Sequence, residues 1–291
     1  MTAASERASD LSSDLSSELT PERASRLSYF ASADGDLAYL DLGTGTPVVL
    51  LHSGFADHRV FDEQIPALAR DFRVIAPDIR GHGFSANASR PFRWADDLGA
   101  LLHHLDPGPV VLVGLCMGAA VATDTALEHP GLVRAVVVSG AGTSAFEYTD
   151  PQLLEHQAHA GRLLAAGDLA GWLDQFARGV AGPHRTTDEV APSVLRRLRE
   201  LTSHTLAKHT PGERDWHVPL GDPWPRIPAL DVPVLAIHGA LDWPDSIAMA
   251  QRFTDTVPDG RSTTIEDAGH YPNMEQPEEF NAILGEFLRS L

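Results

Sequence analysis

Residues 110–122 read VVLVGLCMGAAVA, and the rest of the chain can be understood around them. An apolar run typical of a buried strand leads into Gly114-Leu115-Cys116-Met117-Gly118, and small residues suited to a tightly packed helix follow. This pattern is that of a nucleophile elbow, a sharp strand-to-helix turn, with cysteine where serine is usual. Side chains at positions 114 and 118 would collide in such a turn, which explains the two glycines. We interpret Cys116 as an exposed nucleophile; the alternative is a small buried hydrophobic residue.

Short β-rich runs recur on both sides of the elbow, and helical patterns separate them. Several of these runs are apolar without alternation, as in parallel strands that are covered on both faces. The alternation predicts an α/β fold with a doubly wound, mostly parallel sheet. The predicted strands are Leu37–Leu42, Val48–Leu51, Arg73–Ala76, Val110–Val113, Ala135–Val138, Val234–Ile237 and Ser262–Ile265.

One long segment interrupts the alternation. Residues 144–226 show only helical patterns and end in the proline-rich stretch GDPWPRIP, 221–228. We predict that they form a helical cap over the carboxyl edge of the sheet, inserted into a core of residues 26–143 and 227–291. Residues 1–25 are rich in Ser, Asp and Glu, which predicts a flexible tail; a short amphipathic helix is the alternative.

Composition limits the partners. The chain has 291 residues and a formal net charge of −18, which argues against nucleic acid or an anionic membrane as the main partner and favours a small-molecule substrate.

A single cysteine excludes an internal disulfide and a multi-cysteine zinc site. No apolar run is long enough to span a bilayer, and the N-terminus has no apolar signal core, so we expect a cytoplasmic protein. The sequence does not determine the oligomeric state, and a homodimer is one of the states that it allows.

Cofactor motifs are lacking. The sequence contains neither a glycine-rich dinucleotide fingerprint nor a phosphate-binding loop. The pairs His103-His104 and His156/His159 have no carboxylate or cysteine in register, so we interpret them as solvated or core histidines. We expect neither a metal nor an organic cofactor.

Five segments, in this order, resemble the α/β-hydrolase superfamily: residues 50–69, 72–85, the elbow, 232–245 and 268–288. The resemblance runs from about Leu37 to Leu291. It is to the capped branch that includes enol-lactonases, ring-cleavage C–C hydrolases, epoxide hydrolases and cofactor-free haloperoxidases. It implies an eight-stranded sheet with the helical cap inserted after the sixth strand.

The resemblance also implies a catalytic triad. His270 lies just beyond the last predicted strand, and imidazole has a pKa suited to a general base. Asp242 follows the strand Val234–Ile237, where a buried carboxylate would orient the histidine. The order Cys116, Asp242, His270 is the nucleophile–acid–base order of this fold. Asp245 and Asp267 are rivals for the acidic position.

An oxyanion hole is implied by His52-Ser53-Gly54-Phe55, which follows the strand Val48–Leu51. The amides of Gly54 and Met117 would stabilise negative charge on a carbonyl oxygen. Ser53 stands where glycine is more usual, which leaves the shape of the loop open, and a plain strand-end turn is the alternative.

The sequence also offers candidates for the residues that line the substrate pocket. We consider His52, Phe55, Trp172, Phe176 and Trp243 as candidates for the substrate pocket. The cap residues Trp216 and Trp224 are further aromatic candidates, but packing between cap and core would explain cap aromatics equally well.

Three functions remain open on the sequence. The favoured one is hydrolysis of a small ester, lactone or thioester through a Cys-His-Asp triad and an S-acyl intermediate. The second is an acyltransferase, cyclase or lyase of a specialised biosynthetic pathway that uses the same triad. The third is a ligand-binding scaffold without turnover.

Overall fold

The computed structural model describes residues 27–210 and 212–291, so the predicted tail, residues 1–25, lies outside the described residues. Eight strands form one sheet in the order β1-β2-β4-β3-β5-β6-β7-β8. The β1–β2 and β2–β4 pairs are antiparallel, and the remaining pairs are parallel. The strands are β1 (Ser28–Ser32), β2 (Gly35–Leu42), β3 (Pro47–Leu51), β4 (Arg73–Pro77), β5 (Val110–Leu115), β6 (Val133–Ser139), β7 (Val234–Gly239) and β8 (Gly260–Ile265).

The helices of the described residues are α1 (Ile65–Leu68), α2 (Trp94–Leu105), α3 (Met117–Glu128), α4 (Pro151–Ala165), α5 (Leu169–Ala181), α6 (Pro192–Leu206), α7 (Pro244–Thr256), α8 (Pro272–Glu275) and α9 (Pro277–Ser290). Short 3-10 turns occupy His58–Phe61, Pro130–Leu132, Thr187–Glu189 and Ile227–Ala229. Helices α4 to α6 lie between β6 and β7, as the cap was predicted to do, and the predicted fold class is confirmed. The division of the chain at 143/144 and 226/227 stays a prediction. No helix in the described part of the chain has both the length and the apolar character that crossing a membrane would require.

The central strands are buried on both faces, as their unbroken apolar runs predict. One face of the sheet packs with α1 and α9, where Phe280 and Leu284 are fully buried. The other face packs with α2, α3 and α7, where Phe253 is fully buried. Because strands β3 to β8 run parallel, their carboxyl ends lie at one common edge of the sheet, and the loops that follow them meet there.

The C-terminal end of α5 is fixed against the loops at this edge. Arg185, just after α5, pairs with Glu275 of α8 at 2.6 Å, and their side chains are only 9% and 5% exposed. Gly182 has φ +79°, and a Cβ there would lie 2.3 Å from the Leu241 carbonyl oxygen. The helical insertion is thus joined to the core by a buried ion pair and by a backbone contact that only glycine permits.

Loss of the buried ion pair should destabilise the fold. In Arg185→Met the Glu275 carboxylate stays buried without its counterion, and we expect unfolding to become easier by about 3 kcal/mol. The matched control is Arg162→Met, because Arg162 pairs with Glu155 at the surface, where the side chains are 60% and 72% exposed. That variant should lose less than about 0.5 kcal/mol. Urea unfolding measures both, and equal small losses would contradict the prediction.

Candidate active site

Cys116 lies at the turn between β5 and α3. Its backbone has φ +49° and ψ −107°, a conformation that non-glycine residues rarely adopt. The Cys116 amide donates a hydrogen bond to the Ser139 carbonyl at 2.7 Å, which ties the turn to the end of β6. The residue is partly exposed and so does not belong to the fully buried core.

The two elbow glycines allow backbones to touch. A Cβ at Gly114 would lie 2.2 Å from the Gly118 carbonyl oxygen, and a Cβ at Gly118 would lie 2.1 Å from the Leu51 carbonyl oxygen. The steric reason that the sequence offers for both glycines is confirmed, although the collisions are with backbone rather than with each other's side chains. The first turn of α3 therefore packs directly on the end of β3.

The His270 side chain lies close to both Asp242 and Cys116. Nδ1 lies 3.0 Å from each carboxylate oxygen of Asp242, and the Cys116 side chain is close enough to the ring to raise the pKa of His270. Asp242 is 1% exposed, and it also accepts the Trp243 amide at 2.7 Å. At Gly140, with φ +69°, a Cβ would lie 2.8 Å from the ring carbon Cε1. The structure therefore brings Cys116, Asp242 and His270 together and holds the ring closely.

The rival carboxylates have other contacts. Asp245 accepts the amides of Thr149 at 2.7 Å and Asp150 at 2.8 Å, and so fixes the start of α4. Asp267 is exposed, and its backbone carbonyl accepts a hydrogen bond from Gln276. Among the three predicted acids, Asp242 is the one bonded to His270.

The charge state of the His270 ring follows from these contacts. Burial by itself would lower the pKa of His270, but the Asp242 carboxylate opposes it. The hydrogen bond to Asp242 and the nearby Cys116 side chain act in the same direction, so the pKa of His270 lies well above its ordinary value. The protonated ring is therefore favoured next to the sulfur.

The two predicted oxyanion segments meet beside the elbow. A Cβ on Gly54 would lie 4.0 Å from the Cβ of Met117. The Met117 amide opens α3 and so has no acceptor within its own helix. Phe55, the next residue after Gly54, has φ +60°, so the loop turns sharply here. Both amides are near the nucleophile position, and their role stays a prediction.

Three of the predicted pocket residues form one aromatic cluster. The Phe55 ring packs against Trp172 at 4.8 Å and against Phe176 at 6.5 Å, and the two α5 rings stack at 5.5 Å. Phe55 is 37% exposed and extends from the residue after Gly54. The cluster therefore gives the loop beside the elbow an apolar wall.

The predicted tryptophans outside this cluster make other contacts, and the place of Trp243 in the pocket stays a prediction. The Trp243 indole donates to the Gly179 carbonyl at 2.9 Å and thereby joins the loop after β7 to α5. Trp216 and Trp224 each lie beneath an arginine guanidinium, at 3.9 and 3.7 Å from the ring. These contacts are packing contacts, and nothing in them brings Trp216 or Trp224 to the Phe55 cluster.

His52 is a correction to the predicted pocket. Its ring is fully buried, Nε2 accepts the Ile79 amide at 2.9 Å, and Nδ1 contacts the Ser53 carbonyl at 2.8 Å. Both ring nitrogens are occupied by backbone groups, so His52 supports the loop instead of facing a substrate.

Two tyrosines near the triad were not predicted. Tyr148, in the loop between β6 and α4, interacts electrostatically with Cys116 and His270, and burial raises its pKa to about 12. Tyr271 follows His270, its ring lies edge-on to the imidazole at 5.3 Å, and burial raises its pKa to about 12. Tyr271 was visible as the neighbour of His270, whereas no local pattern marks Tyr148.

One cluster in the described part of the chain has metal-ligand geometry. Ligand atoms of Asp57, His58 and Asp78 lie within 4.8 Å of one another, and all three residues are buried. Arg59 already pairs with Asp57 at 2.7 Å, and Asp78 accepts the amides of His58 and Phe84 at 2.8 Å. The cluster is internally compensated and supports the loop before the site.

Comparison with known proteins identifies the family. A profile described as alpha/beta hydrolase fold matches residues 46–277. The chain belongs to the alpha/beta hydrolase fold family. A pimeloyl-[acyl-carrier protein] methyl ester esterase of Aromatoleum aromaticum is 29% identical over 259 residues, which cover 83% of this chain and 98% of that one. A 2-hydroxymuconate semialdehyde hydrolase of Pseudomonas sp. CF600 is 27% identical, over 85% of this chain and 88% of that one.

A solved structure agrees in fold and sequence. A thermophilic esterase from Thermogutta terrifontis superposes on this alpha/beta hydrolase with a TM-score of 0.70 and 28% identity, covering 91% of this chain and 98% of the other. The relatives are thus hydrolases of nearly the same length as the matched region.

The elevated His270 pKa predicts a pH trend in the stability of this alpha/beta hydrolase. The stabilising contribution of protonated His270 is fully present below its ordinary pKa of 6.5 and is lost as the pH rises through the higher folded value. The difference in unfolding free energy between wild type and His270→Gln should therefore be largest near about pH 6 and shrink toward alkaline pH. Urea unfolding at several pH values measures it.

The control for this trend is an Asp242→Asn background. There the carboxylate that raises the pKa is absent, so His270→Gln should cause a difference that varies little with pH. A wild-type difference that increases toward alkaline pH would contradict the assignment.

Proposed function

We propose that the chain is a hydrolase that cleaves a small ester, lactone or thioester, with Cys116 as nucleophile, His270 as proton carrier and Asp242 as its orienting carboxylate. One observation carries the proposal: Nδ1 of the His270 ring lies 3.0 Å from both Asp242 oxygens, and the Cys116 side chain is close enough to the ring to raise the pKa of His270. A general base must lie close to the proton that it takes, and the proximity of the ring to Cys116 supports this role.

The proposed reaction has two halves. The Cys116 sulfur attacks the carbonyl carbon while His270 holds the proton, and the amides of Gly54 and Met117 stabilise the resulting oxyanion. The tetrahedral intermediate then expels the alcohol or thiol, which takes the proton from His270 and leaves an S-acyl enzyme. A water molecule gives its proton to His270 and attacks the thioester, which releases the acid and restores the thiol.

Sulfur suits the electrostatics of this turn. A protonated His270 and the amino end of α3 both place positive charge beside the sulfur that attacks the carbonyl carbon. Thiolate leaves more readily than an amine or a simple alkoxide, so the intermediate reacts forward when His270 protonates the departing oxygen or when the leaving group is itself a good one, as in a thioester or an enol ester. The requirement for a reduced thiol also fits the cytoplasm, which we keep as the proposed location, with a small molecule as the substrate.

The acyl group is proposed to be apolar. The cluster of Phe55, Trp172 and Phe176 borders the loop that carries Gly54, and apolar rings favour an aliphatic or aromatic acyl chain. One relative is a methyl ester esterase by name, which is consistent with an ester substrate.

Removal of the sulfur tests the nucleophile. Cys116→Ala should lower kcat on p-nitrophenyl butyrate by about a thousandfold or more, because it removes the atom that carries the acyl group in the proposed reaction. Iodoacetamide should inactivate the wild type with a single adduct found by mass spectrometry, and substrate should protect against it. Circular dichroism and urea unfolding serve as the folding control. Undiminished turnover in Cys116→Ala would remove the nucleophile from the proposal.

The fate of the acyl enzyme separates hydrolysis from transfer. Hydrolysis predicts steady turnover in water alone. A burst of one nitrophenolate per enzyme that resumes only after an alcohol or amine is added would contradict hydrolysis and favour an acyltransferase. Binding of the ester with neither burst nor turnover would favour a ligand-binding scaffold.

Phe55 tests the apolar acyl site. Phe55→Ala removes the partly exposed ring of the cluster, so kcat/KM for p-nitrophenyl hexanoate should fall about tenfold relative to the acetate. The control is Tyr29→Ala, because Tyr29 is exposed on the edge strand β1. A parallel fall for both esters would place Phe55 outside the acyl site.

A further inference from the structure

We propose that Ser53 and Tyr271 form a positioning pair that holds the proposed oxyanion loop, residues 52–55, at a fixed distance from His270. The inference rests on the proposed function, since it concerns the same reaction. It assigns a role to a serine that stands where glycine is more usual.

The pair is a direct and fully buried contact. The Ser53 and Tyr271 hydroxyl oxygens lie 3.0 Å apart, and the two residues are 1% and 2% exposed. A hydrogen bond in such a desolvated place is costly to leave unmade. The ring of Tyr271 also packs edge-on against His270 at 5.3 Å. One phenol therefore contacts both the oxyanion loop and the histidine.

The remaining contacts of Ser53 fix its peptide plane. Its carbonyl oxygen is contacted by His52 Nδ1 at 2.8 Å and accepts the Ala56 amide at 3.3 Å. The His52 ring is itself held, since its Nε2 accepts the Ile79 amide at 2.9 Å. That carbonyl belongs to the same planar unit as the Gly54 N–H. Contacts that restrain the Ser53 oxygen therefore also restrain the direction of the Gly54 amide.

The hydroxyl pair completes this restraint. The carbonyl contacts hold one side of Ser53, and the Tyr271 hydroxyl holds its side chain from the opposite loop. Without the pair, the Gly54 amide would remain beside Met117 but could tilt away from the developing oxyanion. A donor that is preorganised for the oxyanion acts mainly on the transition state, so loss of alignment should lower kcat more than it changes KM.

The pair should keep its form across the working pH range. Burial raises the pKa of Tyr271 to about 12, with a further increase from the nearby Cys116 and Asp242 charges, while His270 and the hydrogen bond to Ser53 lower it. The phenol therefore stays neutral at any pH where the enzyme would be assayed.

A double-mutant cycle tests the inference on the full chain. Ser53→Ala and Tyr271→Phe each remove one hydroxyl. The values of kcat and KM are measured with p-nitrophenyl butyrate, and the enzyme concentration used for kcat is that of the thiol that iodoacetamide can alkylate. We expect each single variant to lose about tenfold in kcat with little change in KM, less than the loss of a whole oxyanion donor. The double variant should also lose about tenfold, not a hundredfold, because both changes break one contact. Tyr29→Phe, on the sheet edge, is the control and should match wild type.

The alkylation rate distinguishes this role from an effect on the thiol. If the pair acts on the oxyanion loop, the pH profile of Cys116 alkylation by iodoacetamide should be the same in wild type and in all three variants. The inference would be overturned if the kcat losses of the two single variants multiplied in the double variant. It would also be overturned if the pH profile of Cys116 alkylation shifted in Tyr271→Phe. Neither result would affect the assignment of Cys116 as nucleophile. Turnover that survives Cys116→Ala would instead overturn the proposed function, and this inference with it.

Discussion

The structure of the site depends on the contact between two backbones, where Gly118 in the first turn of α3 lies directly on the Leu51 carbonyl of β3. No side chain fits between them, so the chain must turn sharply from β5 into α3, and Cys116 adopts φ +49°. The hydrogen bond from the Cys116 amide to Ser139 offsets part of this strain. The same contact places the free amide of Met117 and the amino end of α3 beside the sulfur. A steric requirement of the backbone thus creates the electrostatic setting of the turn.

The second determinant is the buried charge of Asp242. A carboxylate that is 1% exposed would be costly without compensation, and here the His270 ring and the Trp243 amide provide it. Compensation in turn favours the protonated ring, which places a positive charge beside the Cys116 sulfur. The formal net charge of −18 contributes less, because exposed charges are screened within about 10 Å at ordinary ionic strength.

The elements that local motifs encode were the ones that could be predicted from sequence. The elbow, seven of the strands and the positions of His270 and Asp242 follow from patterns a few residues long. Strand β1 was missed because it lies on the edge of the sheet and none of its residues is buried, so it lacks an apolar run. The role of His52 was wrong because a histidine after a strand can bond to backbone as easily as to a ligand. The Ser53–Tyr271 pair could not be predicted, since its members are 218 positions apart and only the tertiary fold joins them.

The contacts between the helical insertion and the core bear on how this site can change. Arg185 pairs with Glu275, and Glu275 also accepts the amide of the residue that precedes His270. On the other side, Trp243, next to Asp242, donates its indole hydrogen to α5. These two contacts therefore end within a few residues of Asp242 and His270, which carry the proton in the proposed reaction. A substitution that moves α5 to admit a larger acyl group would also shift the carboxylate and the imidazole. The proposed mechanism thus links substrate range to proton transfer, and changes in specificity at Trp172 and Phe176 should come with changes in kcat.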